Sequence, residues 1–153
     1  MNNAILTILL CMASVMATAQ QSFCKDIKDI DVTKKISILE NAVSVIKKEI
    51  SRDQKISSWV LSPLALTQTR ELLKKDLPEK EKILKDIKQE FTEDMDTAIS
   101  LIKDSIKKEK KIVNAVPIDT FYQQIAKNTI NEGLPTKKKI LEILEAKLKE
   151  LNS

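Results

Sequence analysis

This chain predicts an all-α protein folded as an up-and-down helical bundle, and three observations carry that expectation. Its 153 residues include one glycine, no histidine and only 3% aromatic side chains, while 31% are charged, the profile of a helical bundle. Apolar residues recur at three- and four-residue intervals along most of the chain, which is the period of one helical face. No stretch of alternating apolar and polar residues offers a competing strand.

The N-terminal "MNNAILTILLCMASVMATA" has no charged side chain, and its apolar run from Ala4 to Met12 is followed by small residues. Such a run is too short for a bilayer, which needs about 20 residues. Ala17 and Ala19 supply the small pair that a signal peptidase accepts before a cut. The expected organisation is therefore a signal peptide over residues 1–19, a flexible segment over 20–31 and a helical bundle domain over 32–153, in a secreted, extracellular protein. Cleavage would remove Cys11 and leave Cys24 as the only cysteine. An odd cysteine in an oxidising compartment points to pairing between chains or to a free thiol, so Cys24 is the candidate for an interchain disulfide and a homodimer.

The first bundle helix is read from Val32, Ile36, Leu39, Val43, Ile46 and Ile50, which fall on one face with Lys34, Lys35, Lys47 and Lys48 outside it. Regular heptads over 32–50 also admit an extended coiled coil. A second, shorter helix follows "SRDQKISSW", with Ser62 as its cap, Pro63 at its first position and Leu66, Thr69, Leu73 and Leu77 on its buried face. Pro78 is expected to start the next helix. From Glu79 to Val113 neither proline nor glycine interrupts Leu84, Ile87, Phe91, Met95, Ala98, Ile102 and Ile106, which predicts one long central helix of roughly 50 Å. Pro117 is expected to open a helix through Phe121, Ile125 and Ile130 that Gly133 ends, and "LPT" to start a last helix bearing Ile140, Leu144, Leu148 and Leu151. The outer helices are thus expected to be kinked or broken around the long central one.

The same composition limits the chemistry. Without histidine the usual general base and most metal sites are missing, and one glycine cannot build the glycine loops that cradle phosphate. A net charge of +4 does not call for nucleic acid. No catalytic constellation, metal site or cofactor is expected, and no transmembrane span. The acidic group Glu90, Glu93, Asp94 and Asp96 reads as a solvated surface, as do the lysines of "KKEKK" at 107–111 and "KKK" at 137–139. Phe91, Met95, Phe121 and Tyr122 suit either an apolar pocket between helices or plain core packing.

"DMDTAISLIKDSIKKEKKIV", "IDTFYQQIAKNTI" and "KKKILEILEAKLKEL", within residues 94–151, resemble the C-terminal halves of the mite group 5 and group 21 allergens. The region from Trp59 to Leu77 reads as an insertion relative to that family. The resemblance implies a secreted, allergen-like helical bundle that dimerises and holds apolar ligands. The functional expectation is a non-enzymatic secreted protein binding a small apolar ligand, a lipid or an extracellular or host partner. The alternative is an amphipathic protein acting at a lipid surface.

Overall fold

The computed structural model describes residues 2–91, 94–116 and 119–153, with side chains described from Ile30 onward. Among these residues four helices and no strand occur: α1 (Asn2–Ser57), α2 (Pro63–Glu90), α3 (Asp96–Asn114) and α4 (Thr120–Leu151). The all-α helical bundle expected from composition and period is thus the observed class. The chain forms two compact units, Met1–Lys35 and Ile36–Ser153. In the first, Lys35 pairs with Asp31 at 2.7 Å, one helical turn away. The signal peptide, its cleavage and Cys24 concern side chains outside the described ones. Residues 20–31, expected as a flexible lead-in, fall within the span of α1.

Helix ends follow local chemistry where the sequence offers a cap. Ser62 is extended (φ −161°, ψ 156°), and its hydroxyl accepts the Ala65 amide at 3.1 Å with Pro63 opening α2, as expected. Asp119 does the same for α4, accepting the Tyr122 amide at 2.9 Å. The cap of α4 is therefore Asp119, and the Pro117 expected to open that helix lies outside the described residues. Each such cap contributes about 1 kcal/mol.

The main departure from expectation is the long central helix. Residues 79–113 do not form one rod: α2 ends at Glu90 and α3 begins at Asp96. Phe91 and Met95, on either side of this break, are 4% and 1% exposed, so both leave the helical path to enter the core. A rod of that length would carry its apolar stripe beyond the partners that can cover it, whereas folding back packs α3 against α2. The signal was present in Asp94 and Asp96, since acidic residues favour a helix start, with Asp96 in the first turn of α3.

Proline and glycine, by contrast, break less than expected. Pro78 lies inside α2, and both Gly133 and Pro135 lie inside α4. An interior proline costs about 3 kcal/mol, so each helix must be held on both sides of it. Around Pro78 the buried Asp76, Leu77 and Lys80 do this, and around Pro135 the buried Ile130 and Lys137.

The core of the second unit has two apolar clusters. The larger joins Leu39, Val43 and Ile46 of α1 to Ile83 and Ile87 of α2, Met95, Ile99 and Ile102 of α3, and Ile140 and Leu144 of α4. The smaller, nearer the α1–α2 and α3–α4 turns, joins Ile56, Leu66, Leu73, Ile112, Ala126 and Ile130. Val32, expected on the buried face, is 37% exposed, and Phe121 and Ile125 are 67% and 43% exposed. On α4 Ile130 is buried as expected, while Gln123 and Ala126 take the inward positions in place of Phe121 and Ile125.

Candidate functional site: an apolar cavity beside a buried ionic layer

Charged side chains occupy core positions between the two clusters. On α1 these are Glu49, Arg52 and Asp53, lying between Ile46 and Ile56; on α2, Asp76 and Lys80, between Leu73 and Ile83. On α3 Ser105 and Glu109 lie between Ile102 and Ile112, and on α4 Lys137 lies between Ile130 and Ile140. Every helix thus inserts polar groups at the same level, and all of these residues are buried. The sequence pattern hid them because they sit on the apolar period, where a helical reading counts only hydrophobic residues.

The layer is densely bonded. Glu109 Oε1 accepts from Arg52 Nη2 at 3.0 Å, from Lys80 Nζ at 3.1 Å and from Lys137 Nζ. Lys80 also donates to Glu49 Oε2 at 2.6 Å and to Ser105 Oγ at 2.8 Å. Arg52 binds Asp53 through Nε at 2.9 Å and Nη2 at 2.8 Å, and Asp76 through Nη1 at 2.9 Å. Lys137 completes the set by donating to Asp53 Oδ2. At the edge, the exposed Lys48 reaches Asp76 at 3.2 Å.

Two carboxylates in this layer behave oppositely. Burial pushes the Glu109 carboxyl up, but Lys80, Lys137 and Arg52 outweigh it and hold the group down to about 2. Glu49 Oε2 has Lys80 at 2.6 Å and Lys137 at 3.5 Å, but burial outweighs both, the Glu109 charge adds to it, and its carboxyl is raised above the usual range. Burial lowers the Lys80 ammonium, whereas Glu109, Glu49 and Asp53 overcome burial and raise Lys137. Glu49 Oε1 and Glu109 Oε2 have no partner among the described residues.

Beyond this layer, toward the turns, a cavity of about 370 Å3 opens between α2, α3 and α4. Its apolar wall is Leu66, Ile112, Tyr122, Ile125 and Ala126. Lys108, Lys111 and Glu132 form the charged part of its lining, which also includes Thr129. The volume falls in the range of small-ligand sites, and the lining combines apolar surface with a few polar groups. Two buried polar residues flank it in sequence. Arg70, one turn after Leu66, donates Nε to the Ile112 carbonyl at 3.2 Å and leaves Nη2 unpartnered. Gln123, beside Tyr122, is fully buried with both amide atoms unpartnered.

The expected pocket of Phe91, Met95, Phe121 and Tyr122 is not assembled. Phe91 and Met95 fill the larger cluster, while Tyr122 packs on the smaller one. Phe121 points outward and meets the Tyr122 ring edge-on at 5.7 Å. The separation follows from the break at 91–95, which puts Phe91 and Met95 at the opposite end of α3 from the α4 start. Tyr122 alone lines the cavity found. Trp59 closes the α1–α2 turn, where its carbonyl accepts Lys127 Nζ at 2.9 Å and its ring packs on the smaller cluster. Of the acidic group, Asp94 pairs with Lys147 at 3.2 Å. Among the described residues no three acidic, cysteine or histidine side chains could hold a metal, and no helix is long and apolar enough to cross a membrane. No protein-family model, curated protein or solved structure matches this chain.

Proposed function

We propose that this chain is a secreted, non-enzymatic helical-bundle protein that binds a small apolar ligand between its helices. The observation that carries the reading is the cavity walled by Leu66, Ile112, Tyr122, Ile125 and Ala126. Empty apolar space of this size forfeits dispersion contacts, which an apolar guest would restore. The test is titration with N-phenylnaphthylamine, an apolar dye that brightens when it leaves water. A saturable, single-site rise is expected, lost in Thr129→Trp, where the indole fills the cavity, with helicity retained. No saturable rise in the wild-type protein would end the reading.

The secreted, allergen-like part of the proposal rests on the apolar leader before Ala17 and Ala19 and on the resemblance over residues 94–151. Protein exported from its source should begin at or within a few residues of Gln20. A homodimer through Cys24 belongs to the same proposal: non-reducing electrophoresis of secreted protein should give a reductant-sensitive dimer that Cys24→Ser abolishes. A monomer with a titratable thiol would remove the dimer from it.

A second reading, action at a lipid surface, is favoured by one observation. Val60, Leu64, Val116 and Phe121 are 85%, 67%, 81% and 67% exposed, and all lie in or beside the α1–α2 and α3–α4 turns. The Lys127–Trp59 bond ties the α1–α2 turn to the first part of α4. Vesicle co-sedimentation that Phe121→Asp abolishes would favour this reading, whereas unchanged thermal unfolding and no sedimentation would favour the carrier.

A further inference from the structure

The charges around the cavity say which apolar molecule it suits. Lys108 and Lys111 stand one helical turn apart at its lining, and among the described residues neither has an ion-pair partner. Lys110, on the same stretch of helix, is by contrast paired with Glu81. Glu132 is the one acidic residue of the lining. Behind the wall, Arg70 is only 8% exposed, has no carboxylate partner among the described residues, and keeps Nη2 unbonded while Nε holds the carbonyl of Ile112, a lining residue. A buried guanidinium without an anion is costly, and elsewhere in this protein the buried Arg52 is matched by Asp53, Asp76 and Glu109. Three cations thus surround the site against a single carboxylate.

Resting on the ligand-binding reading above, we infer that the cavity takes a single-chain amphiphilic carboxylate, its alkyl chain against Leu66, Ile112, Tyr122 and Ala126 and its head group at Lys108 and Lys111. The lysines remain at the water boundary, so the head group keeps part of its hydration while the chain leaves water. Arg70 adds long-range positive potential from within low-dielectric surroundings, where screening by salt is weak.

The test compares three probes that share one chain and differ in head charge: laurate, dodecanol and dodecyltrimethylammonium, each below its micelle concentration and followed by calorimetry. Laurate is expected to bind roughly three- to tenfold more tightly than dodecanol, with the cation weakest, a ratio set by exposed ion pairs. Lys108→Gln/Lys111→Gln should bring laurate down to the affinity of dodecanol without changing dodecanol itself. Raised salt should narrow the wild-type difference. Equal binding of all three by the wild-type protein, or a double variant that keeps its laurate preference, would overturn the inference while leaving the apolar cavity in use. Binding of none would overturn both readings. Both lysines are on exposed positions, so circular dichroism is expected to be unchanged by their replacement.

Discussion

Lys80 on α2 donates to Glu49 on α1 across 2.6 Å with the two side chains 0% and 1% exposed. A lysine so enclosed has no water to fall back on, and every one of its bonds goes to another helix: Glu49 on α1, and Ser105 and Glu109 on α3. The pair therefore fixes the axial register of three helices at once, a role buried polar groups fill in coiled coils.

Removing one partner should be far worse than removing both. Lys80→Met leaves Glu49 and Glu109 short of a cation and is expected to cost about 3–5 kcal/mol. Glu49→Met/Lys80→Met should cost less than Lys80→Met alone, because the stranded Glu49 charge is gone. Urea unfolding of the three proteins measures this, and a double variant less stable than Lys80→Met would contradict it.

The opposite behaviour of Glu49 and Glu109 predicts a stability maximum at mildly acidic pH. Glu49, raised in the fold, contributes stability in its protonated form that is lost as pH rises through its raised pKa. Glu109, held down to about 2, contributes stability present above the ordinary carboxylate range and lost as pH falls from about 4.5 toward 2. Chemical unfolding across this range should show a rise from neutral pH, then a fall. In Glu49→Gln the rise should vanish while the acid limb remains.

The buried face of α3 is tested by neighbouring positions. Ile102 is 0% exposed in the larger cluster, whereas Lys103 faces water. Ile102→Asp should unfold the protein or cost several kcal/mol, and Lys103→Asp should lie within about 0.5 kcal/mol of wild type. Thermal melts that move equally would reverse the facing of this helix.

Gly133 sits inside α4 with no heavy atom within 4 Å of where a Cβ would stand. Gly133→Ala should therefore stabilise by about 0.4–1 kcal/mol, since alanine is a better helix former and nothing must move. A lower melting temperature would mean that the glycine ends a helix there after all.

The amino-acid order alone determined the helical class, the Ser62 cap with Pro63, and most of the larger cluster, because helical period and capping act over a few residues. It left open where helices stop. Pro78, Gly133 and Pro135 looked like ends and are passed through, while α2 stops at Glu90 and α3 starts at Asp96 where no glycine or proline marks a break. Tertiary contact reverses these local preferences: packing on both sides outweighs an interior proline, and burying Phe91 and Met95 outweighs a few more helical hydrogen bonds. The ionic layer was still less legible. Glu49, Lys80, Glu109 and Lys137 are ordinary helix residues until four helices align them at one level, and only then do their burial, their partners and the cavity beyond them exist.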